Sequence, residues 1–125
     1  MTSEIRSYRD LRVWNEAMTL AESCYRFSQE FPREELFGLT SQIRRAAISI
    51  PANVAEGYGR DSKGSYVNFL KTAQGSLKEL ETHLILAQRL KLGKFDAAEN
   101  LLSHCEAIGR MLRALIRNVQ KAGEA

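Results

Sequence analysis

The stretch Tyr66-Val67-Asn68-Phe69-Leu70-Lys71-Thr72-Ala73-Gln74-Gly75-Ser76-Leu77-Lys78-Glu79-Leu80-Glu81-Thr82-His83-Leu84-Ile85-Leu86-Ala87 decides the fold. Tyr66, Leu70, Ala73, Leu77, Leu80, Leu84 and Ala87 alternate steps of four and three, which lines them along one face of an α-helix. With Ser62 or Ser65 as N-cap, the spacing predicts a helix over 63–91. Before it, Leu39, Ile43, Ala47, Ile50 and Val54 predict a helix over 38–56, finished by Gly57 in a left-handed conformation. After it, Leu101, Cys105, Ile108, Leu112, Leu115 and Val119 predict a helix over 97–121, with Asp96 and Glu99 as a capping pair. At the start of the chain, Leu11, Trp14, Met18, Ala21 and Tyr25 predict a helix over 10–30, capped by Asp10 and closed by Phe31-Pro32.

No segment reads as a strand, and the connections are short, so sequential helices become antiparallel neighbours. The expected fold is all-α: one antiparallel up-down-up-down four-helix bundle over residues 1–125. Pro51 falls inside the second helix, where it removes a backbone donor from the Ala47 carbonyl, so a kink or a local break is expected there.

Composition bounds the function. The 125 residues are 44% hydrophobic and 26% charged, enough apolar side chain for one core and too little net charge for a disordered chain. No segment approaches the roughly 18 apolar residues of a membrane span, and the first residues carry no signal-peptide core, so a soluble cytoplasmic protein without membrane contact is expected. Cys24 and Cys105 are the two cysteines, each inside a helical pattern, and read as reduced core residues rather than a disulfide or zinc framework. Net charge is +3, which permits an anionic partner without requiring one.

Helix one carries a second apolar seam, Val13, Ala17, Leu20, Cys24 and Phe27, beside the first. A face that wide fits burial against another subunit, which makes Val13, Leu20 and Phe27 candidate oligomer-interface residues. It also fits ordinary spill of apolar residues onto the surface.

Two further runs stand out: Phe37-Gly38-Leu39-Thr40-Ser41-Gln42-Ile43-Arg44-Arg45-Ala46-Ala47 and Ser49-Ile50-Pro51-Ala52-Asn53-Val54-Ala55-Glu56-Gly57-Tyr58-Gly59-Arg60. Together with Tyr8-Arg9-Asp10-Leu11-Arg12-Val13-Trp14 and Gly75-Ser76-Leu77-Lys78-Glu79-Leu80-Glu81-Thr82, they resemble the family of four-helix-bundle proteins encoded in 23S rRNA intervening sequences. That family in turn resembles the accessory variability subunit of diversity-generating retroelements, a basic, barrel-shaped homopentamer that binds a reverse transcriptase and nucleic acid. The resemblance implies a homopentamer here and brings RNA, DNA and a reverse transcriptase into view as partners.

Antiparallel topology gathers the amino terminus, the loop between helices two and three, and the carboxyl terminus at one end. There Arg6, Arg9, Arg12, Arg60, Lys63, Arg113, Arg117 and Lys121 outnumber Glu4, Asp10, Glu56, Asp61 and Glu124 by three, the whole net charge. At the opposite end Arg26, Arg33, Arg89, Lys91 and Lys94 are matched by Glu30, Glu34, Glu35, Asp96 and Glu99. Several copies about one axis would sum the basic ends into a ring suited to phosphate backbones. Arg110, Arg113, Arg117 and Lys121 also form a basic stripe on the last helix, though such a run is commonly just a solvated face. Near this end only Tyr8, Tyr58 and Tyr66 offer rings for base stacking, so backbone and shape would be read more than sequence.

Other chemistry is poorly supported. Gly59 and Gly64 have the glycine separation of a phosphate loop, but Ser65 stands where that loop needs lysine, and a helix rather than a strand precedes it. A bundle metal site needs a glutamate three residues before each histidine, whereas Leu80 precedes His83 and Leu101 precedes His104, so both histidines read as surface or flank residues. Gln42, Ser49, Asn53 and Glu56 share a flank of helix two and are placed to join Glu79 or Glu81 in a polar network, read as satisfying groups near Pro51 or at a subunit interface. The expectation is a non-enzymatic homo-oligomeric scaffold, without metal or cofactor, whose basic end binds RNA or DNA beside a protein such as a reverse transcriptase. The alternative is a protein-protein interaction module with no nucleic-acid binding.

Overall fold

Ser62 opens the longest apolar repeat of the chain, its side chain accepting a hydrogen bond from the Ser65 amide at 3.1 Å. In the computed structural model, which describes residues 4–122, that repeat is helix α3, Lys63–Arg89. It is preceded by α1, Arg12–Ser28, and α2, Leu39–Tyr58, and followed by α4, Phe95–Lys121. Short 3-10 turns at Tyr8–Asp10 and Arg33–Glu35 lead into α1 and α2, and the described residues contain no strand.

The α3 seam is core as its spacing requires: Leu70, Ala73, Leu77, Leu80, Leu84 and Ala87 are buried, and Tyr66 at its start is half-buried. Leu39, Ile43, Ala47, Ile50 and Val54 of α2 meet it, and Leu101, Cys105, Ile108 and Leu112 of α4 complete the same cluster. Toward its end the α4 seam shifts by one residue, because Ile116 is buried while Leu115 and Val119 only pack against the edge.

Helix α1 keeps only part of the expected seam, Leu11 and Ala21 being buried. Val13, Ala17, Leu20, Cys24 and Phe27 form its core face, whereas Trp14 is half-buried and Met18 and Tyr25 are exposed. Small residues at 17 and 24 let α1 sit close to its neighbours, and the bulkier Trp14, Met18 and Tyr25 are left to the flank and the outside. Val13, Leu20 and Phe27 therefore belong to the chain's own core, and an interface built on them is corrected: side chains already enclosed have no surface to give a second copy.

Several caps also differ. Asp10 does not open α1; its carboxylate accepts from the Arg6 and Ser7 amides at 2.9 and 3.1 Å while Ser7 Oγ accepts from the Arg9 amide, a reciprocal cap on the 3-10 turn. Leu11 is the α1 N-cap, with no side-chain hydrogen bond. At α4 the N-cap is Lys94, likewise without one, so Asp96 and Glu99 do not form a capping pair; Glu99 accepts instead from Gln88 Nε2 at 2.7 Å.

Gly57 is not a left-handed terminator. It lies inside α2 and is buried, and a Cβ there would come within 2.7 Å of Phe69 Cβ and 3.1 Å of the Tyr66 ring. Its role is close approach of α2 to α3. Pro51 also lies inside α2, which continues through it without a break.

Candidate nucleic-acid interface

Lys63 ties the start of α3 to the end of α4: its Nζ donates to the Gln120 and Ala122 carbonyls at 2.9 and 2.8 Å. Those carbonyls belong to the last turn of a helix, where backbone acceptors lack intrahelical donors and the dipole favours a cation. Around this junction, Arg60 and Lys63 line a hollow with Val119 and Ala122, and Arg12 lines another with Leu115 and Asn118. The first turn of the chain, the α2–α3 connection and the end of α4 are thus brought together, and with them Arg9, Arg12, Arg60, Lys63, Arg117 and Lys121. Arg113 lies one turn earlier on α4 and is also exposed.

The predicted basic residues differ in what they already do. Arg6 lies 3.4 Å from Glu4, with both side chains mostly in solvent. Arg9 sits over the Tyr8 ring at 5.7 Å, and Arg60 over Phe69 at 4.6 Å, each leaving its charge toward water. Among the described residues Arg9, Arg12, Arg60, Lys63, Arg113, Arg117 and Lys121 make no ion pair with a carboxylate. Arg110, by contrast, faces Glu106 on its own helix at 3.8 Å. Glu124 lies outside the described residues.

The three tyrosines are occupied with each other or with the core. Tyr8 meets Trp14 edge-on at 5.2 Å, and Tyr58 meets Tyr66 edge-on at 6.0 Å. Burial raises the Tyr66 phenol above its ordinary range, and the neighbouring Tyr58 adds to the effect. Each of these rings already packs against another, which leaves less open face for stacking on a base.

The polar flank of α2 does meet α3, in two groups. Arg45 Nη2 donates to Glu79 Oε2 at 2.6 Å and to Gln42 Oε1 at 2.8 Å, while His83 Nε2 lies 3.2 Å from the same Glu79 oxygen. The hydrogen bond with His83, and then the Arg45 charge, hold the Glu79 carboxyl below its ordinary range. One turn along, Ser49 Oγ is 2.8 Å from Ser76 Oγ, and Asn53 Nδ2 donates to the Ser49 carbonyl and hydroxyl. Glu56 is absent from both groups, and Glu81 pairs with Lys78. None of these donors reaches the Ala47 carbonyl, so the groups join helices rather than repair the turn at Pro51.

His104 crosses between helices, its Nε2 2.7 Å from Glu16 Oε1 of α1. Both histidines are partly buried and bonded to a carboxylate, and no group of three or more histidine, cysteine, aspartate or glutamate side chains among the described residues is arranged to hold a metal ion. Burial pushes the Cys24 thiol up to about 12 and raises Cys105 as well, which leaves both as unreactive thiols of the core. No described helix is long and apolar enough to cross a membrane.

The profile of the 23S rRNA-intervening sequence protein family matches residues 9–114, most of the chain. The chain belongs to this family. The match takes in Arg9, Arg12, Arg60, Lys63 and Arg113, and leaves Arg6, Arg117 and Lys121 outside it. A crystal structure of a protein of unknown function from the S23 ribosomal protein family of Bacteroides thetaiotaomicron superposes with a TM-score of 0.75, covering 84% of this chain and 98% of that one at 24% identity. At that identity the likeness speaks for the fold. Over 82 residues the chain is 30% identical to the type II restriction enzyme BsuRI of Bacillus subtilis, which covers 66% of this chain but spans only 14% of the enzyme.

Two features escaped the sequence reading of this intervening-sequence family member. Phe37 stands almost wholly in solvent, 92% exposed, in the turn before α2. Met18 and Tyr25, assigned to the core by spacing, instead line an outer groove between α1 and α2 together with Ile48. An aromatic residue in a connection between Glu34-Glu35 and Gly38 was the available signal for the first.

Proposed function

We propose that this protein is a non-catalytic homo-oligomeric scaffold whose basic end holds the phosphate backbone of RNA or DNA. The carrying observation is the set of exposed arginines at the α1 start, the α2–α3 connection and the α4 end that have no carboxylate partner among the described residues. Cations left free in this way are available to displace counterions from a polyanion. The paired tyrosine rings favour backbone contact over base stacking. The underlying fold is read as up-down-up-down, with α2 bent at Pro51. Residue 45 pairing with 79, and 49 with 76, supports antiparallel order for α2 and α3, because one number falls as the other rises.

The test is a titration of labelled structured RNA, and of a matching DNA duplex, followed by anisotropy across salt concentrations. Binding should weaken linearly on logarithmic axes with a slope of about −3 or steeper, several phosphates being neutralised. Arg113→Glu with Arg117→Glu should flatten that slope by about 2. No binding at low salt, or a slope untouched by the double variant, sinks the nucleic-acid reading and leaves a protein-interaction module.

A further inference from the structure

Phe37 and the α1–α2 groove pose complementary problems. A phenylalanine at 92% exposure keeps nearly its whole ring in water, which burial would relieve. The groove, about 440 Å³, is floored by Ala21 and Pro51 and walled by Met18, Tyr25 and Ile48. Those walls are 39%, 38% and 47% exposed, an apolar surface presented to solvent. Its stiffness is built in: the Arg44 guanidinium lies 4.6 Å over the Tyr25 ring while its Nε donates to Ser28 Oγ at 2.8 Å, fixing that wall from behind.

The ring cannot fill the groove of its own chain. From Leu39, where α2 begins, to Ile48 the helix rises roughly 14 Å, beyond the reach of a phenylalanine side chain. The polar surroundings match across two chains instead. Arg33 and Glu34 are exposed beside Phe37, and among the described residues neither makes an ion pair. Glu22 and Arg26 stand at the rim of the groove, held to each other only at 3.8 Å, so each can take an opposite charge from the incoming turn. Glu35 is not part of that exchange, since its carboxylate accepts from the Leu39 amide at 3.2 Å and keeps the turn in shape.

We propose that Phe37 of one copy seats in the α1–α2 groove of the next, with Arg33 and Glu34 facing Glu22 and Arg26. Made once per pair of copies, the contact is heterologous: it repeats head to tail and closes a ring where the rotation permits. This rests on the homo-oligomeric part of the proposed function and names the surface that carries it. It also replaces the α1 seam of Val13, Leu20 and Phe27, which faces the core.

Sedimentation of the wild-type chain, Phe37→Glu, Ile48→Glu and an equimolar mixture of the two variants tests the contact. The wild type should sediment as an oligomer and each variant as a single chain, with helical circular dichroism kept because both positions are exposed. The mixture should double in mass and stop there, since one variant retains the groove and the other the knob. An oligomer that survives Phe37→Glu, or variants that stay monomeric when mixed, overturns the contact while leaving self-association by another surface. A monomeric wild type at about 100 μM, well above a micromolar dissociation constant, overturns both. Anisotropy with RNA on the same samples reads the basic end separately.

Discussion

Helices α1 and α3 carry apolar repeats of the same spacing, yet only one of them could be phased from its letters. In α3 one seam dominates, its flank at 71, 72, 78 and 82 is polar, and the structure buries that seam from Leu70 to Ala87. In α1 two seams compete, and of the one with the larger side chains only Leu11 and Ala21 are buried. Trp14, Met18 and Tyr25 contribute more apolar area than Ala17 and Cys24, but a four-helix core rewards close approach, and small residues allow it. The lesson is that side-chain size marks the core poorly when an apolar face is wide, because part of that face can be kept for a partner.

The largest expected effect tests this phase directly. Leu20→Ala in α1 and Leu77→Ala in α3 should each cost about 2–5 kcal/mol in urea unfolding, both side chains being almost fully enclosed. Tyr25→Ala should cost much less in a monomeric background such as Ile48→Glu; a loss equal to that of Leu20→Ala would return α1 to the other seam. Next comes Gly57→Ala, where crowding of Phe69 outweighs the gain in helix propensity and a net loss of about 1–2 kcal/mol is expected. Gly75→Ala, on the open face of α3 with nothing within 4 Å of the new methyl, should stabilise by about 0.5–1 kcal/mol. A similar sign for the two glycines would mean that α2 and α3 are less closely apposed at Gly57 than described.

The smallest effect concerns Glu79, which is partly exposed, so solvent screens its partners. Its carboxyl titrates below the ordinary value of 4.5 in the folded chain. The group therefore stabilises the fold above the unfolded value, and the benefit disappears as pH falls through the folded one. The difference in melting temperature between wild type and Glu79→Gln should be constant near neutrality and shrink from about pH 5 downward. A difference that instead persists to about pH 2 would assign the effect to packing.

Much of the fold was legible because long periodic seams in α2, α3 and α4 need only local spacing to be recognised. The Ser62 cap was legible for the same reason, its hydrogen bond being made within one turn. What stayed hidden depended on contacts between distant residues. Gly57 looks like a terminator until Phe69 is placed against it, and Asp10 looks like a helix cap until Ser7 claims its carboxylate. The basic end was visible as a cluster of charges, but which of them are engaged was not, since the acceptors of Lys63 lie more than fifty residues away.

That lysine changes how the basic end acts at a distance. An ammonium seated on the carbonyls of a helix terminus is answered by roughly half an opposite charge, so it adds less to the long-range potential than its formal unit. Counting side chains therefore overstates the pull toward the α3 start and understates its tilt toward the arginines of α1 and α4. A polyanion approaching from solution would be turned toward those arginines before any contact forms, which makes orientation of the encounter, as well as its strength, a property of where one side chain has docked.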